Sequence, residues 1–202
     1  RRLLRTTASR LAWPVLGPLA GAYRRNVLGR TRVVAIVGSY GKTTARLATC
    51  EALDARRPPR PGMNSSSAIA RLLLRTRPSE MHTVVEVGIG APGQMAAYAS
   101  ALRPDIVVVT CIGSEHSRAF GTLEATRDEK CQMVRALPPS AIAVLNGDDP
   151  NVVWMARHTR ARKVTFGLGA DCDVRATDVR LEWPRGTEFT LCLPCRASHV
   201  RV

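Results

Sequence analysis

The stretch that decides the fold lies near the amino terminus and reads Val33-Val-Ala-Ile-Val-Gly-Ser-Tyr-Gly-Lys-Thr-Thr-Ala45. Its first five residues are apolar and predict a buried strand, and the residues from Lys42 onward predict a helix. The glycines between them, Gly38 and Gly41, allow a tight turn whose backbone N–H groups can face phosphate oxygens. The amino terminus of the helix adds a partial positive charge. A strand, a glycine-rich turn and a helix that opens on Lys-Thr predict a nucleoside triphosphate site.

The turn itself is shorter than that of most phosphate-binding loops. The general pattern G-x-x-x-x-G-K-[ST] places a glycine six residues before the lysine, where this chain has Ile36. The shorter form argues against ordinary P-loop kinases and GTPases. Lys42 is expected to reach the β and γ phosphates, and the Thr43 hydroxyl is expected to ligate Mg²⁺. The predicted nucleotide-binding residues of the turn are Gly38, Ser39, Tyr40, Gly41, Lys42, Thr43 and Thr44.

Short Val- and Ile-rich runs alternate with helical stretches along the rest of the chain. Strands are predicted at 33–37, 83–87, 105–110, 141–145 and 163–166, and helices at 42–55, 66–75, 93–102, 123–137 and 151–159. Strands that return through helices predict an α/β fold, with a mostly parallel sheet and helices on both faces. After Gly169 the chain alternates between apolar and polar residues, with Pro184–Gly186 between two such runs, which predicts a C-terminal antiparallel hairpin. The apolar positions are Val174, Ala176, Val179 and Leu181, and then Phe189, Leu191 and Leu193.

The net charge of +14 is concentrated in the first part of the chain. Residues 1–60 carry 13 Lys and Arg against 2 Asp and Glu, whereas residues 61–202 carry 17 against 14. A surface that tracks nucleic acid would be basic more uniformly, so no nucleic-acid partner is predicted. The uncharged run Leu11–Tyr23 is too short to cross a bilayer, which takes ~20 residues.

Two interpretations of the basic segment 1–32 remain open. It is either a helix packed on the domain or an amphipathic segment that lies on an anionic membrane surface. Pro14 and Pro18 interrupt a long amphipathic face and favour the packed helix. Four apolar residues recur at helical spacing, namely Leu16, Leu19, Tyr23 and Val27. Arg24 and Arg25 fall on another face of the same helix.

The six cysteines are scattered and do not indicate a disulfide framework. A nucleotide-binding loop is typical of a reducing compartment, so we expect a cytoplasmic protein, with the inner face of the membrane as its alternative location. Cys192 and Cys195 are closely spaced, but a zinc site would need a second pair of ligands. Reduced thiols are therefore the preferred interpretation.

Several ordered motifs follow the loop: Pro61-Gly-Met-Asn-Ser65, Val84-Val-Glu-Val-Gly88 with Ala91-Pro-Gly-Gln94, Thr110-Cys-Ile-Gly-Ser-Glu-His116, Phe120-Gly-Thr-Leu-Glu124 and Leu145-Asn-Gly-Asp-Asp-Pro150. Together with the short loop they resemble the ATP-binding central domain of the Mur ligase family. The resemblance covers about residues 31–195. It implies a central domain at 33–202, preceded by the basic helical arm at 1–32.

The ends of the predicted strands carry the candidate metal ligands. Glu86 ends an apolar strand, at the edge where open α/β sheets bind ligands, and a carboxylate opposite Thr43 would complete an oxygen site for Mg²⁺. His116 lies just past the end of the next strand, and the resemblance favours a role beside the metal. The resemblance also implies that Lys130 is carbamylated and holds a second Mg²⁺. The resemblance further implies that Asn146 and Asp149 lie close to the adenosine.

The resemblance implies an ATP-dependent amide ligase of peptidoglycan precursor synthesis, with Lys42, His116 and Lys130 as catalytic residues and with ATP and Mg²⁺ as cofactors. A substrate carboxylate attacks the γ-phosphate, and an amine then attacks the acyl phosphate. The carboxylate and amine pair is unidentified, and a UDP-muramoyl peptide is the implied acid. The family's sugar-binding and C-terminal ligase domains are expected to lie outside these residues, so a ligase domain or a partner chain is needed.

Three positions depart from the family motifs. Cys111 stands where the motif has Asn, Gln94 stands where it often has Glu, and Gln132 lies near a position where another Glu is common. A second hypothesis is therefore a non-catalytic or partner-dependent nucleotide-binding module, associated with a membrane through residues 1–32. A nucleic-acid-dependent ATPase is a third, which the concentration of charge in the arm disfavours.

Overall fold

A computed structural model describes residues 2–57, 65–114, 120–184, 186–194 and 196–201, with side chains from residue 12 onward. The elements in chain order are α1 Arg2–Asn26, β1 Arg32–Val37, α2 Lys42–Ala52, α3 Ser66–Arg75, β2 His82–Glu86, α4 Gln94–Leu102, β3 Ile106–Val109, α5 Leu123–Arg135, β4 Ile142–Asn146, α6 Pro150–Met155, a 3₁₀ turn Ala156–His158, β5 Arg162–Gly167, β6 Val174–Glu182, β7 Gly186–Leu193 and β8 Arg196–Arg201.

The strands form one sheet in the order β2-β1-β3-β4-β5-β6-β7-β8. Pairing is parallel from β2 through β6 and antiparallel from β6 to β8. This confirms the predicted α/β class, and the predicted strands and helices agree with the observed ones apart from shifted ends. The predicted hairpin is β6 and β7, but a third strand, β8, extends it. The sequence of β8, Arg-Ala-Ser-His-Val-Arg, is too polar to have been recognised as a strand.

Alternate residues of β1 face two apolar layers, as expected for a strand covered on both faces. Val33, Ala35 and Val37 belong to the main core, together with residues of α3, α4 and α5. Val34 and Ile36 belong to a smaller core with Cys50 of α2. The sheet therefore lies between α2 on one side and a layer that includes α3, α4 and α5 on the other.

The arm is helix α1, which continues through Pro14 and Pro18. Both prolines are exposed, and each removes one backbone N–H donor from the helix. Trp13 and Ala20 face the domain, and the Trp13 ring meets the ring of Tyr98 edge to face at 4.8 Å. These contacts support the packed-helix interpretation. No helix in the described part combines the length and the apolar character that a membrane span requires.

The predicted division of the arm into faces was wrong at three positions, two on α1 and one, Val27, directly after it. Leu19 and Val27 are 53% and 41% exposed, whereas Arg24 is buried at 8% exposure. The Arg24 guanidinium donates to the carbonyls of Leu102, Leu28 and Arg103 and to Asp105 Oδ2 at 2.6 to 3.2 Å. Helical spacing shows which residues share a face, but it cannot show that partners distant in sequence will satisfy a buried arginine.

Candidate active site

Four neighbouring parallel strands end at the same edge of the sheet, and most of the predicted site residues lie there. β1 ends at Val37 before the glycine-rich turn, β2 ends at Glu86, and β4 ends at Asn146. In open α/β sheets ligands bind at the carboxyl ends of the strands. The topology thus gathers, at a single edge, groups that lie far apart in the sequence, such as Thr43, Glu86 and Asn146.

The turn after β1 requires its two glycines. Gly38 has φ +148°, and a Cβ there would overlap Thr110 Oγ1, so a side chain is excluded by both conformation and space. Gly41 has φ +76° and caps the amino terminus of α2. The Thr110 hydroxyl donates to the carbonyl of Tyr40 at 2.6 Å, which ties the tip of the turn to the end of β3. Tyr40 itself is 56% exposed.

Ser39 lies at the centre of the site and is buried. Its backbone N–H donates to Cys111 O at 2.7 Å. Its hydroxyl donates to Gly113 O at 2.9 Å and accepts from Gly113 N at 2.7 Å. The turn is therefore attached to residues 110–114, the described part of the motif that leads to His116.

Two lysines converge on Ser39 from different helices. Lys42, at the start of α2, donates from Nζ to Ser39 O at 2.7 Å. Lys130, on α5, donates from Nζ to Ser39 Oγ at 2.8 Å. Both are buried, at 6% and 1% exposure. Composition alone suggests a solvated Lys130, but the fold places its amine beside the phosphate-binding turn.

Thr43 and Glu86 are in contact, as expected from parallel strands that end at the same edge of the sheet. The Thr43 hydroxyl donates to Glu86 Oε2 at 2.9 Å, and Glu86 is 4% exposed. Both groups are hard oxygen donors, and Mg²⁺ sites in nucleotide enzymes commonly combine one or two carboxylates with substrate phosphates. The donor set therefore fits Mg²⁺. Within the described residues, no group of three or more His, Cys, Asp and Glu could hold a metal ion by itself.

Asn146 and Asp149 lie at the same edge and make structural bonds. Asn146 Nδ2 donates to Thr110 O at 2.8 Å. Asp149 caps α6 by accepting from Asn151 N at 2.8 Å, and its other oxygen accepts from Ile112 N at 2.7 Å. Both side chains thus hold the end of β3 against the end of β4. Their predicted contact with adenosine stays a prediction.

Some predicted residues lie outside the described part of the chain. They are His116, which falls in 115–119, and most of the Pro61–Ser65 motif, which falls in 58–64. The role of His116 beside the metal therefore stays a prediction. Cys195 is likewise outside the described residues, and Cys192 is a free thiol.

Sequence reasoning missed two charged residues near this edge. Arg46, on α2, is 3% exposed, and its Nε lies 3.6 Å from Glu86 Oε2. Glu129, next to Lys130, accepts from Gly93 N and Met95 N at 2.9 and 2.8 Å, and so satisfies the amino terminus of α4. Gln94 Oε1 accepts from Gly90 N at 2.7 Å and holds the loop after β2. The sequence does contain a signal for the burial of Arg46, because Lys42, Arg46 and Cys50 are spaced four residues apart and therefore share one face of the helix.

The family model of the Mur ligase middle domain matches residues 29–201. The chain belongs to the Mur ligase family. This confirms the resemblance drawn from the motifs. As a Mur ligase domain, the chain has curated relatives named UDP-N-acetylmuramoyl-tripeptide--D-alanyl-D-alanine ligase. The one from Escherichia coli is 31% identical over 183 residues, and the one from Mycobacterium bovis is 32% identical over 179 residues.

Solved structures of Mur ligases share the fold. MurF from Acinetobacter baumannii superposes with a TM-score of 0.84 at 26% identity over 94% of this chain. MurF from Thermotoga maritima in complex with ADP superposes with a TM-score of 0.81 at 25% identity, also over 94% of the chain. This Mur ligase chain spans 42% and 44% of those two chains, and 40% and 35% of the E. coli and M. bovis relatives.

Proposed function

We propose that this chain is the ATP-binding core of a Mur-type amide ligase that activates a carboxylate as an acyl phosphate in peptidoglycan precursor synthesis. The observation that carries the proposal is the 2.9 Å contact of Thr43 with Glu86 at the start of the helix that follows the glycine-rich turn. A hydroxyl and a carboxylate in contact there are the donors expected beside an Mg-nucleotide. The ADP complex of the T. maritima relative supports ATP as the nucleotide.

Each residue of the site has a defined task in this proposal. Backbone N–H groups of the turn and the amino terminus of α2 bind the phosphates. Lys42 places its positive charge against the β and γ phosphates, where charge develops during phosphoryl transfer. Thr43 and Glu86 would hold Mg²⁺, which neutralises phosphate charge when it is bound. Lys130, in its carbamylated form, and His116 would hold a second ion.

The reaction joins an acid to an amine. A substrate carboxylate attacks the γ-phosphorus and ADP leaves; the amine then attacks the acyl carbon and phosphate leaves. The names of the relatives suggest a UDP-muramoyl peptide as the acid and D-alanyl-D-alanine as the amine. Because the chain corresponds to 40% of the E. coli relative, a C-terminal ligase domain or a partner chain would complete the site.

The arm at 1–32 supports a second proposal, that its outer face contacts an anionic membrane at the cytoplasmic side. Val15 and Leu19 lie one turn apart on α1 and are 70% and 53% exposed, and Arg25 is also exposed. Exposed apolar and basic groups on one helix favour the interface of anionic bilayers. Sedimentation with phosphatidylglycerol vesicles at low and high salt tests this. Absence of binding at low salt would reject it.

The nucleotide proposal is tested by calorimetry of Mg-ATP binding to the wild type, Lys42→Ala and Lys163→Ala. Lys163 is an exposed lysine of β5 and serves as the control. We expect wild type and Lys163→Ala to bind alike, and Lys42→Ala to bind about 10- to 100-fold more weakly, as expected for one lost charge-assisted contact. No heat from the wild type would reject the proposal. Binding without turnover in the presence of a C-terminal ligase domain would favour the non-catalytic module.

A further inference from the structure

A buried cation lies one helical turn beyond the phosphate-binding turn. Arg46 is 3% exposed and lies four positions after Lys42, on the side of α2 whose buried residues are Lys42, Arg46 and Cys50. Among the described residues, its Nη1 atom is buried without a hydrogen-bond partner. Native proteins rarely leave a buried donor unsatisfied, so a guanidinium at this position requires an explanation.

The group that Arg46 contacts is the predicted metal ligand Glu86. Arg46 Nε lies 3.6 Å from Glu86 Oε2, and both side chains are 4% exposed. The same oxygen accepts the Thr43 hydroxyl at 2.9 Å. Two residues three positions apart on α2 therefore hold one carboxylate oxygen.

A contribution to the stability of the fold does not by itself explain the ion pair between Arg46 and Glu86. The layer between α2 and the sheet is otherwise apolar and contains Val34, Ile36, Cys50 and Val84. Replacing a buried ion pair by apolar side chains of similar volume is often neutral or stabilising. An apolar residue at position 46 would also avoid the unsatisfied Nη1. A guanidinium differs from an apolar residue in that its charge attracts the Glu86 carboxylate oxygen, which lies 3.6 Å from Arg46 Nε.

We propose that Arg46 is a positioning residue of the magnesium site. It holds Glu86 in the orientation that lets Glu86 and Thr43 ligate the ion together, and it touches neither the ion nor the nucleotide. The proposal rests on the function proposed above, since it assigns Arg46 to that same site. Removing an outer partner of a metal ligand typically costs 10- to 100-fold in metal affinity.

The test compares ADP binding in excess Mg²⁺ with ADP binding in EDTA, by calorimetry on the whole chain. The variants are Arg46→Met, Arg46→Lys and the control Arg71→Met, which removes an exposed arginine of α3. We expect Arg46→Met to reduce the Mg²⁺-dependent gain in ADP affinity about 10-fold or more. Its affinity in EDTA should stay within about two-fold of wild type, because the nucleotide contacts remain. Arg46→Lys should recover most of the gain, and Arg71→Met should behave as wild type.

A double-mutant cycle with Glu86→Gln isolates the pair. Once Glu86 is neutral there is no carboxylate to orient, so adding Arg46→Met should leave the remaining Mg²⁺ gain unchanged. The double variant also carries the test if Arg46→Met alone does not fold, since it leaves no lone buried charge.

Three results would overturn the proposal. The first is an unchanged or larger Mg²⁺-dependent gain in ADP affinity in folded Arg46→Met. The second is an equal loss of ADP affinity with and without Mg²⁺ in both Arg46 variants. The third is a further loss of the Mg²⁺-dependent gain when Arg46→Met is added to Glu86→Gln. Failure of the wild type to bind Mg-ADP is a separate result, because it rejects the proposed function itself.

Discussion

Lys130 Nζ lies 2.8 Å from Ser39 Oγ, although 91 residues separate the two in the chain. The contact joins α5 to the phosphate-binding turn across the ends of the parallel strands. Ser39 also exchanges hydrogen bonds with Gly113. One hydroxyl therefore connects the turn after β1, the segment after β3 and the buried lysine of α5.

Ser39→Ala should destabilise the protein because it removes this junction. We expect the free energy of unfolding to fall by about 1–3 kcal/mol, the cost of taking a hydroxyl away from buried polar partners. Urea unfolding followed by circular dichroism measures the change. Ser100→Ala, at an exposed position, is the control and should unfold as wild type does. Equal midpoints for the two variants would show that the junction contributes nothing to stability.

Gly38→Ala should damage both the fold and nucleotide binding. A Cβ at φ +148° is strained, and it would also push against Thr110 Oγ1, which holds the Tyr40 carbonyl. We expect a loss of about 2–3 kcal/mol in unfolding free energy, together with weaker binding of Mg-ATP. Gly29→Ala is the matched control, because a Cβ there meets nothing within 4 Å. A Gly38→Ala protein with wild-type melting and affinity would contradict the geometry of the turn.

Arg24→Met should separate stability from nucleotide binding. Arg24 contacts Asp105 at 2.8 Å just before β3, at the sheet edge opposite the site. Removing the guanidinium takes a hydrogen-bond donor away from Asp105 and from the carbonyls of Leu102, Leu28 and Arg103. We expect a loss of about 1–3 kcal/mol in unfolding free energy, the cost of leaving hydrogen-bond acceptors without their donor, and unchanged Mg-ATP affinity below the melting temperature. Arg25→Met removes the adjacent exposed arginine and should be nearly neutral. Equal stability of the two variants would mean that α1 does not anchor the domain through Arg24.

The thiols of Cys50 and Cys131 should resist alkylation in the native protein. Burial raises the pKa of both thiols above the ordinary value, so less of the reactive thiolate is present at pH 8. Iodoacetamide followed by peptide mass analysis should label the partly exposed Cys192 before Cys50 and Cys131. In urea all three should react at similar rates. Labelling of Cys50 or Cys131 as fast as Cys192 without denaturant would contradict their burial.

Much of the fold could be predicted because its signals are local. The apolar run of β1, the glycines at 38 and 41 and the helix that begins at Lys42 lie within twenty residues, and their periods identify each element. The approach of Glu86 to Thr43 was also predictable, since parallel strands end at a common edge. The strand β8 was missed because its six residues include three that are charged or ionisable, and only pairing with β7 makes them a strand.

The partners of the buried charged side chains could not be predicted in the same way. Burial of Arg24 depends on carbonyls and a carboxylate about 80 residues away, and burial of Lys130 depends on a serine 91 residues away. Neither lysine nor arginine carries a sequence signal for burial, because both are usually exposed. Arg46 was predictable only as a helical neighbour of Lys42.

By itself, the sequence determined the order of strands and helices, the phosphate-binding turn and the family to which the chain belongs. These follow from residue patterns within short segments, where backbone preference and apolar periodicity act. The tertiary structure alone decided that Lys130 reaches Ser39, that Arg46 contacts Glu86 and that Arg24 contacts Asp105 and so ties α1 to the domain. Such contacts join segments far apart in the chain, and only the packing of helices on the completed sheet brings those segments together.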